Sequence, residues 1–99
     1  CGGRFNSIED YAHTSSIVGG YANHVYSQRG FIGGGNSHQI QSNSIYCSIL
    51  GGHANIIGIS SRESTIGGGL VNVIGVNAPF AVIPGGVENE ALAGVIDCG

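Results

Sequence analysis

The chain has 99 residues, of which 19 are Gly and only two Pro; 41% are apolar, 9% are charged and the net charge is −3. That is the length of one domain, 1–99, with too much Ile and Val for a disordered tract and no Gly at every third position as collagen requires. Three Arg and no Lys give phosphates little to bind, so nucleic acid is not expected as a partner, and no apolar run reaches the ~18 residues of a membrane span. The chain opens on Cys1 and contains no Met, which reads as a fragment of a longer chain.

Glycine pairs punctuate the chain at 2–3, 19–20, 34–35, 51–52, 68–69 and 85–86, spaced 17, 15, 17, 17 and 17 residues apart. Three residues after each second Gly stands Asn6, Asn23, His38, Asn55, Asn72 or Asn89, and two further on Ile8, Val25, Ile40, Ile57, Ile74 or Ala91. Three residues before the second Gly stands Ile17, Ile32, Ile49, Ile66 or Ile83, and two before that a small residue: Ser15, Gly30, Cys47, Ser64 or Ala81. The repeat predicts about six coils of ~17 residues, each with its turn at a glycine pair.

Within a coil, small residue, Ile and first Gly alternate, which places them on one face of a strand. Asn and the following aliphatic alternate too and predict a second strand. The second Gly supplies a backbone angle that other residues resist, and Gly68→Val, by loading the tight turn, is expected to abolish folding. Ser42-Asn43-Ser44 and Ser60-Ser61-Arg62-Glu63 are expected to form polar return loops. No stretch keeps a helical period. One coil cannot bury its two aliphatics alone; coils stacked about 4.8 Å apart can, and they also pair the backbone, giving an all-β, parallel β-solenoid about 25–30 Å long. Its Asn column is expected to be a ladder of side-chain amides bonded along the axis. His38 and the short spacing are both assigned to local distortion in coil three. After Leu70 the added apolar residues Val71, Val73, Val76, Ala78, Phe80, Ala81 and Val82 predict an end covered by another chain or domain, where Pro84 removes a ladder donor.

The candidate chemistry is sparse. His13, His24, His38 and His53 fall in four different columns, whereas a metal site would draw ligands from one column or from facing ones. Glu9 and Asp10 read as a solvated return, and Glu88 and Glu90 flank Asn89 and point outward, with no cleft to pair carboxylates. Gly33-Gly34-Gly35 and Gly67-Gly68-Gly69 are turns; no Lys completes a phosphate loop and no helix follows. Cys1, Cys47 and Cys98 suit neither zinc nor a redox pair and read as small buried thiols, which favours assembly in a reducing compartment. Tyr21, Tyr26 and Tyr46 are expected on outward faces, as are other aromatics, for packing between subunits or for binding a protein or glycan receptor. The sequence nominates no catalytic, cofactor-binding or metal-ligating residue and leaves binding residues open.

Ser48-Ile49-Leu50-Gly51-Gly52-His53-Ala54-Asn55-Ile56-Ile57-Gly58 resembles the head repeats of trimeric autotransporter adhesins, whose coil runs S-[IV]-x-[IV]-G-x-x-A-x-A-x-G. Residues 64–75 follow the same frame, and the resemblance covers essentially the whole chain. The I-G-G-G-x-x-N form is similar to repeats of viral and phage fibre and surface proteins. The resemblance implies a left-handed parallel β-roll, three chains side by side as a homotrimer, and an adhesive or structural fibre or spike at a virion or cell surface. A non-adhesive scaffold, such as a capsid-associated component, is the alternative. Left-handed β-helix enzymes with hexapeptide repeats stand further off, since 17 is not a multiple of six.

Overall fold

The computed structural model describes residues 3–9 and 12–91, so Cys1, Gly2, Asp10, Tyr11 and Cys98 lie outside the described residues. Those described form eleven two-residue strands and no helix. In chain order these are β1 (Ser7–Ile8), β2 (Ser16–Ile17), β3 (His24–Val25), β4 (Phe31–Ile32), β5 (Gln39–Ile40) and β6 (Ser48–Ile49). They continue as β7 (Ile56–Ile57), β8 (Thr65–Ile66), β9 (Val73–Ile74), β10 (Val82–Ile83) and β11 (Glu90–Ala91). Odd strands make one parallel sheet, β1-β3-β5-β7-β9-β11, and even strands the other, β2-β4-β6-β8-β10. The chain is therefore a parallel β-solenoid. Six strands of one sheet enclose only five of the other, so about five turns are complete rather than six.

Each coil joins two such strands by a six-residue connection through the glycine pair and a seven-residue return. The exception is Tyr26–Gly30, a return of five residues between β3 and β4. The missing two residues thus lie in the coil of Asn23 and not at His38. Around His38 the register is undisturbed, with Gln39 opposite His24 on one side and Ile56 on the other. This corrects the assignment of distortion to coil three.

The second residue of every strand points inward. Ile17, Ile32, Ile49, Ile66 and Ile83 face Val25, Ile40, Ile57, Ile74 and Ala91, all buried, with Ile8 half-buried at the first coil. Each fully buried Ile contributes about 1.5–3 kcal/mol. These two rows form a thin core between the sheets, and the Cα envelope of 32 × 25 × 13 Å is a slab, not a rod. Its thin dimension suits two sheets about 10 Å apart. Ile49→Ala, at mid-stack, is expected to lower the unfolding free energy by about 2–5 kcal/mol in urea titrations. A loss below 1 kcal/mol would contradict the core assignment.

Corners are made by left-handed backbone at fixed columns. The second Gly of each pair has positive φ, from 75° at Gly3 to 104° at Gly86. Two residues later Phe5, Ala22, Ser37, Ala54, Val71 and Glu88 repeat the conformation at φ 55–62°. A β-branched residue is the worst occupant of that region, at a cost of roughly 1–2 kcal/mol, and Asn the best after Gly. Val71→Asn is therefore expected to raise stability by about 1 kcal/mol, checked by the midpoint of urea unfolding; an unchanged or lower midpoint would contradict it. The close approach is at Gly69, where a Cβ would sit 2.1 Å from the Gly86 carbonyl oxygen, whereas at Gly68 it meets only Gly51 O at 3.9 Å. Gly69 is the close-packed position of this turn, while Gly68, at φ +150°, is open in space but strained for any side chain.

Candidate functional site

Between the corners and the core, three inner columns carry polar side chains that satisfy backbone groups. The first amide of a strand donates to the next coil directly: the Ile56 N–H to Asn72 O at 2.9 Å, for example. The amide of each Asn-column residue instead donates to the side chain one coil back, His38 N–H to Asn23 Oδ1 at 3.0 Å and Asn72 N–H to Asn55 Oδ1 at 2.8 Å. Asn23, Asn55 and Asn72 each donate twice from the side-chain amide, Asn55 Nδ2 to Gly51 O at 2.9 Å and to Gly69 O at 3.2 Å. The predicted ladder exists, but its bonds run from side chain to backbone and not from amide to amide. A buried backbone group left unpaired costs about 1–3 kcal/mol, which is what these side chains prevent.

One further inner column was not foreseen. Ser44 and Ser61, expected in solvated returns, are fully buried. Ser61 N–H donates to Ser44 Oγ at 3.2 Å and Ala78 N–H to Ser61 Oγ at 3.1 Å, while the two hydroxyls donate to Gly58 O and Gly75 O. In the small-residue column, Ala81 N–H donates to Ser64 Oγ at 3.1 Å and Gly30 N–H to Ser15 Oγ at 3.0 Å. Cys47 occupies the same column: its Sγ donates to Ser61 O at 2.8 Å and accepts from Ser64 N–H at 3.4 Å. Burial pushes this thiol up to about 11, so it stays protonated and unreactive near neutrality. Ala78 and Ala81 are core residues of the last coils, not surface awaiting cover.

His38 takes the place of an Asn. Its Nδ1 accepts from Asn55 N–H at 3.1 Å, as an Asn Oδ1 would, which puts the proton on Nε2. Nε2 is buried beside the Gly52 and Gly34 carbonyls without a well-formed hydrogen bond to either, where an Asn would donate to two glycine carbonyls. Burial lowers its pKa, with the His53 imidazole adding to that, while the Gly52 and Gly34 carbonyls oppose it. His13 and His53 are exposed and His24 is half-buried. Among the described residues no three His, Cys, Asp or Glu are grouped to hold a metal ion. Glu9, Glu88 and Glu90 are exposed.

Tyr21, Tyr26 and Tyr46 are exposed, as expected. Phe5 packs edge-on against Tyr21 with ring centroids 5.4 Å apart, and the Arg29 guanidinium lies 5.1 Å from the Tyr46 ring centre. Each complete seven-residue return after β4 bends at two left-handed positions, Asn43 and Tyr46, Ser60 and Glu63, or Asn77 and Phe80, with φ between 56° and 64°. Hollows of about 230, 380 and 430 Å³ lie along this face. The first two share Asn43 and Ile45 and the last two share Ser60 and Arg62, so they form one shallow groove. It offers hydroxyl, amide, guanidinium and carboxylate groups beside apolar surface.

Among the described residues no helix is long and apolar enough to cross a membrane. No family model matches the chain, nor does any curated protein or solved structure.

Proposed function

We propose that the chain is a structural and adhesive module of a surface fibre or spike, with copies side by side in a homotrimer at a virion or cell surface. The outer surface of the solenoid carries this reading. Val18, Phe5 and Val87 are more than 60% exposed, and Leu50 and Val76 more than half, on a slab whose own core is two rows of side chains. Apolar side chains so displayed gain about 25 cal/mol per Å² when a neighbouring subunit covers them. With few charges to hold copies apart, lateral association follows from the same composition. The likeness of residues 48–58 and 64–75 to trimeric adhesin head coils supports both the assembly and the attachment role.

Light scattering on the full chain tests the assembly: three times 10.0 kDa is expected, and a 10.0 kDa monomer with an intact β circular dichroism spectrum overturns it. Attachment is tested with beads carrying the chain against a panel of cell types. Adhesion to a subset of them is expected. A trimer whose beads adhere to none is a scaffold instead.

A further inference from the structure

The groove on the return face has a built-in origin and an end. Equivalent residues repeat one strand spacing apart, about 4.8 Å, so the hollow between the paired bends recurs on successive coils and merges into a furrow along the stack. At one end the furrow meets the five-residue return Tyr26–Gly30, where two residues fewer leave a notch lined by Tyr26, Ser27 and Gln28. Ser27 lies beside this notch, 3% exposed, and its Oγ has no hydrogen-bond partner. Its column mates Ser44 and Ser61 both donate and accept. The Ser27 side chain belongs to that inner column and its Oγ is closed off from the furrow, so the notch presents Tyr26 and Gln28 at its mouth.

Further along, Arg62 lines both later hollows, and no hydrogen bond or ion pair ties its guanidinium to another described residue. Glu63 lines the last hollow with Phe80 and Pro79, so donor and acceptor stand beside an exposed ring. Tyr26 supplies the ring at the other end. A straight furrow with donors, acceptors and a ring at each end suits a chain of hydroxyl-bearing rings, whose hydroxyls both give and take hydrogen bonds and whose C–H faces lie on aromatics. Glu63 repels a carboxylate where Arg62 would attract one, and the net charge of −3 disfavours polyanions.

We propose that this furrow binds an extended neutral oligosaccharide, with the notch at Tyr26 and Gln28 holding one end. The proposal rests on the attachment reading and names its ligand. The test is an array of defined neutral, uronate and sialylated oligosaccharides probed with the full chain, followed by NMR titration with the best neutral binder. Neutral chains of several units are expected to bind, with amide shifts confined to residues 26–28, 42–45, 60–63 and 79–80. Arg62→Ala and Tyr26→Ala, with wild-type circular dichroism, are each expected to weaken binding about tenfold. Binding to none, binding only to acidic glycans, or shifts outside the furrow overturns the proposal; the titration uses wild-type protein and is decisive even if a variant fails to fold. Beads that adhere to cells without any array binding sink the furrow and leave attachment standing. Beads that do not adhere sink attachment itself.

Discussion

Gly69→Ala is expected to unfold the chain under conditions where Gly51→Ala is silent. The alanine methyl at 69 would lie 2.1 Å from Gly86 O and 2.8 Å from both Gly86 N and Asn72 Nδ2, on a residue whose φ is +97°. The conformation alone costs about 1–3 kcal/mol. Moving the neighbouring backbone breaks inner-ladder bonds worth about 1–3 kcal/mol each once left unpaired. Together these rival the ~5–15 kcal/mol that holds a domain of this size. Gly51 is the control, since its Cβ would meet nothing within 4 Å and its φ is not positive; a change within about 0.5 kcal/mol is expected there. Urea titration of both variants checks the contrast. Equal effects at the two positions would remove the distinction between the paired glycines, one facing out and one pressed against the next coil.

His38→Asn is expected to stabilise the protein, although it replaces a fully buried residue near the middle of the stack. The asparagine would keep the bond from Asn55 N–H and regain the donation to the Gly34 and Gly52 carbonyls that Asn23, Asn55 and Asn72 make to their own glycines. Giving this donor well-formed bonds is worth about 1–2 kcal/mol, or roughly 4–16 °C in Tm. The same substitution isolates a pH effect. The native ring has its pKa below the ordinary 6.5, chiefly through burial, so between that lowered value and 6.5 the unfolded chain binds more protons than the folded one. Its stability is therefore full above 6.5, falls as pH drops through that window and levels off below the folded pKa. Protonation would also set an N–H at Nδ1 against the Asn55 amide. The variant should lack this component. Parallel pH profiles for wild type and His38→Asn, or a less stable variant, would contradict the assignment.

What the sequence made legible was whatever recurs with one chemistry. The Ile columns, the glycine pairs and the Asn column hold nearly one residue type at 17-residue spacing, and each maps to one place in the coil. The inner Ser column escaped notice because Ser inside and Ser outside look alike, and because Ala12 and Ala78 interrupt Ser27, Ser44 and Ser61. Left-handed corners were hidden for a different reason. Phe5, Ala22, Ser37, Ala54, Val71 and Glu88 share a backbone angle while their side chains face solvent to varying degrees and are free to differ. The short return was within reach, because Gly20 to Asn23 and Gly35 to His38 are the same distance apart and leave only the stretch after Val25 to shrink. The unusual residue at 38 drew the assignment to the wrong coil. Pro84 was read correctly as a lost donor: its counterparts Leu50 and Gly67 each donate to the following coil, so a further coil of this kind would lack that bond. The groove depends on bends and a deletion acting together, and no single column announces it.

The solenoid is a parallel stack in which the first amide of a strand meets a carbonyl one coil further along. Couplings measured directly across hydrogen bonds by NMR test it most plainly. Ile56, Thr65 and Val73 amides should couple to the carbonyls of Asn72, Ala81 and Asn89, each sixteen residues ahead. Couplings that link these amides to an antiparallel neighbour, or to carbonyls at other separations, would contradict the solenoid and every column assignment built on it.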